Sequence, residues 1–86
     1  MSVEAIWIKI LLFGACREAA GIEELDYQLA PSSTAESAWT ELKNRFPDLA
    51  RFDRSILMAV NEEHTGRDTI LSSGDTLAIF PPVSGG

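Results

Sequence analysis

At 86 residues the chain has room for one hydrophobic core, which excludes a multidomain enzyme. Its 45% hydrophobic and 23% charged residues are those of a chain that folds, and no apolar run approaches the about 20 residues needed to span a bilayer. Thirteen acidic against seven basic side chains give a net charge of -6, the wrong sign for tracking phosphates, so neither nucleic acid nor a membrane is an expected partner.

In the first strand, Ile6, Ile8, Ile10 and Leu12 alternate with Trp7, Lys9, Leu11 and Phe13 in a period of two. Both faces are largely apolar, which places it centrally, with a helix on one face and something else on the other. Residues 15–20 predict one or two helical turns stopped by Gly21. From Glu24 onward Leu25, Tyr27 and Leu29 alternate with polar residues, a half-buried strand expected to pair with the first as a hairpin.

Ser33 and Glu36 have the spacing of a capping box, and the helix they predict carries Ala35, Ala38, Trp39, Leu42 and Phe46 on one stripe. Trp39 is its expected anchor, and Pro47 closes it. After an irregular passage through Leu49 and Phe52, residues 56–60 read as a short buried strand, with Asn61 and Glu62 as a turn. Residues 69–71 read as a further extended piece. Residues 72–75 form a turn into the last strand, residues 76–80.

Two strands, a helix, then two or three strands predict an α+β fold: a mixed sheet with one main helix packed on one face. The first and last strands are the most apolar, so they are expected side by side and parallel at the centre, with the intervening chain as the crossover. A body over residues 1–80 would then end in an extended tail, residues 81–86.

Pro81 and Pro82 lock φ and favour an extended course, and Val83, Ser84, Gly85 and Gly86 follow. Six residues reach about 20 Å when extended, enough to enter a deep pocket on another protein. Gly85 and Gly86 would pass a narrow channel and let a backbone close on a terminal carboxylate. That carboxylate, on Gly86, is the candidate reactive group. Adenylation by ATP would give it a good leaving group, after which a sulfur nucleophile would displace AMP. The bland alternative is an ordinary frayed end.

Leu71, Gly74, Asp75, Leu77, Ala78, Ile79, Phe80 and the closing PPVSGG resemble the small sulfur-carrier subunit of molybdopterin synthase, within the ubiquitin-like sulfur-carrier family. The resemblance returns in IKILLFGACREAAG near the start and in AVN, residues 59–61; residues 22–54 match in element type more than in residues. It implies a ubiquitin-like β-grasp fold and a cytoplasmic carrier whose Gly86 is adenylated by an enzyme like ubiquitin-activating enzymes, then converted to a thiocarboxylate. It implies further that the tail inserts into a large synthase subunit, in an assembly of two large and two small chains. There two successive carriers deliver two sulfurs to cyclic pyranopterin monophosphate. No cofactor or metal is expected on this chain itself; ATP enters through the activating enzyme.

Alternation also puts Phe13 and Phe80 on the sheet face away from the helix, beside the root of the tail, where they are the candidate docking residues. Trp7 shares their parity. Cys16, the one cysteine, rules out an internal disulfide, fits a reducing compartment and reads as core filling. His64, the one histidine, lies beside Glu62 and Glu63 and would form at most half of an acid-base pair. Three other readings stay open: a carrier for thiamine synthesis or transfer RNA thiolation, a ubiquitin-like modifier forming amide bonds to lysines, and a thiol enzyme. The last requires Cys16 to be exposed with a depressed pKa.

Overall fold

The computed structural model describes residues 5–82. Strand β1 spans Ile6–Leu12, helix α1 Gly14–Ala20, strand β2 Glu24–Leu29 and helix α2 Ala35–Arg45. A 3-10 helix over Pro47–Phe52 precedes strands β3, Leu57–Val60, β4, Glu63–Thr65, and β5, Thr76–Phe80. The five strands make one mixed sheet in the order β2-β1-β5-β3-β4. Strand β1 is antiparallel to β2 and parallel to β5, with Ile10 opposite Leu77 and Leu12 opposite Ile79. The two most apolar strands are therefore adjacent, as expected, and the rest of the chain supplies the crossover a parallel pair requires. No helix among the described residues is long and apolar enough to cross a membrane.

Period-two burial drives the sheet. Ile8, Ile10 and Leu12 of β1, Met58 of β3 and Leu77 and Ile79 of β5 all point to one face, where Ala35, Ala38, Trp39 and Leu42 of α2 meet them in a single core. Each large aliphatic side chain so buried contributes about 1.5 to 3 kcal/mol. Trp39 is wholly buried, and its indole N–H donates to Asp53 Oδ1 at 2.6 Å, so the one polar atom it takes inside is satisfied.

Several boundaries differ from those read in the sequence. The N-cap of α2 is Thr34, not Ser33: Thr34 Oγ1 accepts from the Ser37 N–H at 3.1 Å, while the Ser33 hydroxyl donates to Ala30 O. Long-range pairing decides this. Leu71 N–H donates to Ser33 O and Thr34 bridges to Ile70, which keeps the chain extended one residue further. Residues 69–71 contribute that isolated bridge and no strand. Glu36, freed from the capping box, binds Arg67 at 2.9 Å. Strands β1 and β2 pair antiparallel as expected, although α1 lies between them where a tight hairpin turn would be.

The passage through Leu49 is regular, a 3-10 helix with Leu49 fully buried, and Phe46 caps α2 half-buried. Strand β4 has no apolar alternation to announce it. It exists because Asn61 and Glu62 both take positive φ, 52° and 74°, the backbone of a two-residue hairpin turn.

Asp53 braces the helical layer. Lys43 Nζ donates to its carboxylate at 2.7 Å beside the Trp39 contact, and Arg67 donates to the Asp53 backbone carbonyl while its other arm holds Glu36. The Lys43 hydrogen bond foremost, then that of Trp39, holds the Asp53 carboxyl down at about 2 from an ordinary 3.8.

Candidate functional site: the open face of the sheet

The face away from α2 is built by the same alternation. Residues opposite one another in register share a face, so Leu11, Ala78, Ala59 and His64 form one row across β1, β5, β3 and β4. The neighbouring row is Phe13, Phe80 and Leu57. Phe80 is directly opposite Leu57, and the rings of Phe13 and Phe80 stack with centroids 4.8 Å apart and planes 9° apart. His64 tilts toward Phe80, with centroids 6.4 Å apart.

Small residues between large ones make a depression. Ala59 and Ala78, facing each other, form its floor; Leu11, Phe13, Phe80 and His64 form its walls, with Asn61, Glu62 and Thr76 at the rim. Its volume is about 600 Å³, and it is open among the described residues. Phe13 is 40% exposed and Leu57 46%, a large apolar area to present to water on so small a protein.

The rim is rigid. Asn61 donates its side-chain N–H to Asp75 Oδ1 at 2.9 Å and accepts from the Thr76 N–H at 3.0 Å, tying the β3–β4 turn to the start of β5. At the other end the Phe13 N–H donates to Ile79 O at 3.2 Å. Pro81 then lies against Gly14, whose φ of +53° and missing side chain leave room for the proline ring. The first residue after β5 is thus seated at the start of α1, next to the Phe13–Phe80 stack.

The sequence-derived candidates separate cleanly. Phe13 and Phe80 come together as expected, and Pro81 and Pro82 leave from their edge, half-buried and exposed respectively. Val83, Ser84, Gly85 and Gly86 lie outside the described residues. Trp7, 53% exposed, shares the face but sits six residues up β1 from Phe13, about 20 Å away, against the 73–74 turn. Cys16 is wholly buried and its thiol is pushed up by that burial, so the thiol-enzyme reading fails on both of its requirements. His64 is on the far side of the sheet from Cys16 and has no part in a catalytic pair with it.

Leu11, Leu57, Ala59 and Ala78 were not read as site residues in the sequence, and His64 was weighed there only as half of an acid-base pair. Counting alternation back from Phe13 and Phe80 would have found Leu11 and Ala78, and counting on from Leu57 would have found Ala59. His64 carried no such signal, because the strand that positions it has none.

The ThiS family matches residues 10–86. The molybdopterin synthase sulfur carrier subunit of Arabidopsis thaliana is 38% identical over 82 residues, which cover 95% of this chain and 85% of that one. Among solved structures, SAMP1 from Haloferax volcanii superposes with a TM-score of 0.82 at 30% identity, covering 93% of this chain and 99% of that one. A ubiquitin from Caldiarchaeum subterraneum shares the fold, with a TM-score of 0.64 at 16% identity over 96% of this chain and all of that one. The architecture is the ubiquitin-like β-grasp.

Proposed function

The chain belongs to the ThiS family, and from that premise we propose that it is the sulfur carrier of molybdopterin synthase in molybdenum cofactor biosynthesis. The carrying observation is near full-length identity of 38% to a protein of that name, in a chain that also ends in PPVSGG.

The chemistry takes place at Gly86. Its carboxylate attacks the α-phosphate of ATP on an activating enzyme of the adenylyltransferase type, expelling pyrophosphate. A sulfur nucleophile then displaces AMP and leaves a thiocarboxylate. Within the synthase that sulfur passes to cyclic pyranopterin monophosphate, and water restores the carboxylate. The fold contributes a rigid body, residues up to Phe80, and a tail from Pro81 onward whose root is held by Gly14. Pro81, Pro82, Val83, Ser84 and Gly85 carry Gly86 about 20 Å into the large subunit. The catalytic pocket belongs to the large subunit in this reading, and this chain supplies the sulfur.

The large subunit docks on the open face through Phe13 and Phe80. Exposed aromatics around a wide apolar depression are the usual anchors of such interfaces. Two carriers and two large subunits make the working assembly, in the cytoplasm. The name of SAMP1, a small archaeal modifier protein, favours a second reading in which Gly86 forms amide bonds to lysines.

Intact mass of the chain isolated from cells with their sulfur machinery tests both readings. A species with one terminal oxygen replaced by sulfur supports the carrier. A carboxylate alone, with Gly86 remnants on lysines of other proteins, overturns it in favour of the modifier.

A further inference from the structure

The turn between β3 and β4 carries a charge where its backbone asks for none. Val60 pairs with Glu63, so the loop is Asn61 and Glu62 alone, with φ of 52° and 74°. Glycine is the residue that holds the second position of such a turn without strain. Glu62 holds it instead, on a backbone that Asn61 fixes through Asp75 and the Thr76 N–H. Its carboxylate stands at the rim of the depression floored by Ala59 and Ala78. No ion pair among the described residues includes Glu62, and no lysine or arginine lines the depression. Lys9, the lysine of this sheet face, meets Glu24 at 3.8 Å and lies opposite Asp26.

We infer that the large subunit sets a lysine or arginine side chain against Glu62 at the rim of the depression, and that this pair helps to select the partner. The inference rests on the docking reading above and deepens it. Phe80 is both a wall of the depression and the residue before Pro81, so a body that receives the tail lies over this surface. Covering it takes water from the Glu62 carboxylate, and a carboxylate that loses water without gaining a partner is disfavoured. The described part of this chain offers no cation there, so the covering surface has to. A second copy of the chain would be a poor cover, because its own open face sets Glu24, Asp26 and Glu62 against one lysine. A charge pair at an interface rim acts mostly on encounter rate and on the rejection of wrong partners.

The test is calorimetric titration of the full chain with its cognate large subunit at one pH, in about 50 mM and about 500 mM salt. At the lower salt Glu62→Gln should weaken docking by about fivefold, the upper range for an exposed ion pair, and Glu62→Lys by more, since it sets like charges together. Both losses should shrink at the higher salt. Glu62→Gly should dock as weakly as Glu62→Gln while its denaturation midpoint rises, because it removes the carboxylate and relieves the turn. Wild-type docking by Glu62→Lys or Glu62→Gly, or losses that salt leaves unchanged, overturns the inference. Phe80→Asp, with its melting midpoint measured alongside, separates the two levels. Wild-type affinity in a folded Phe80→Asp chain removes the docking reading and this inference with it. Weakened affinity there, with wild-type affinity in Glu62→Lys, removes only the role of Glu62. A free chain that sediments as a dimer, and that Phe80→Asp renders monomeric, assigns the depression to a second copy and overturns the inference as well.

Discussion

The ring of Pro81 occupies the space that a side chain on Gly14 would need: a Cβ there would fall 3.0 Å from Pro81 Cγ. Gly14 is also left-handed, with φ +53°, a conformation that costs an L-residue about 1 to 2 kcal/mol. Gly14→Ala should therefore lower stability by about that amount and push the tail root off its seat. Urea denaturation reads the first effect, and sulfur transfer at saturating large subunit reads the second. A variant with wild-type stability and wild-type transfer would show that the contact is incidental.

Trp39 anchors α2 on the sheet. Its truncation to Ala should cost about 3 to 5 kcal/mol, a large share of the about 5 to 15 kcal/mol by which small domains are stable. An unchanged denaturation midpoint would contradict the assignment of the buried helix face. Trp39→Phe keeps most of the volume and removes only the N–H to Asp53, so it should cost less and act mainly through the acid response described next.

Asp53 titrates at about 2 in the folded chain, below its ordinary 3.8, chiefly through the Lys43 hydrogen bond. A carboxyl with a depressed folded pKa binds fewer protons folded than unfolded. Its stabilisation is complete above the unfolded value and is lost as the pH falls from about 4 toward about 2. Asp53→Asn should lower the denaturation midpoint at pH 7 and flatten its fall across that window. Parallel acid limbs in the two proteins would refute the assignment.

Docking should depend on the stacked pair. Phe13→Asp and Phe80→Asp, each checked for a preserved fold, should weaken binding of the large subunit by roughly thirtyfold, the about 2 kcal/mol of a hot-spot residue. Calorimetry that returns wild-type affinity for both would place the interface elsewhere.

Deleting Gly86 should abolish sulfur transfer while leaving the fold intact, because the reactive carbon is withdrawn by about 3.5 Å. Adding a residue after Gly86 should block activation by placing that carbon in an ordinary peptide bond. Cys16→Ala should retain transfer, with some loss of stability from the cavity it leaves in the core. The assay is product formation from cyclic pyranopterin monophosphate with the large subunit and thiocarboxylated carrier. Full activity without Gly86, or complete loss in a folded Cys16→Ala chain, would move the chemistry away from the tail.

Local pattern was enough for the central strands, for α2 and for the pairing of Phe13 with Phe80, since period two and helical spacing are set by backbone geometry alone. The residues of PPVSGG alone left an ordinary frayed end open, and the resemblance to sulfur carriers is what puts the expected chemistry on Gly86. Tertiary structure decided what depends on distant segments. Thr34 displaced Ser33 as the helix cap because Ile70 and Leu71 hold the chain before it. Strand β4 formed because the Asn61–Glu62 turn folds three polar residues back on β3, and only that pairing carried His64 into the row behind Ala59 and Ala78. The depression exists where two alanines on separate strands meet in register. Register is a relation between strands, and alternation within either one cannot specify it.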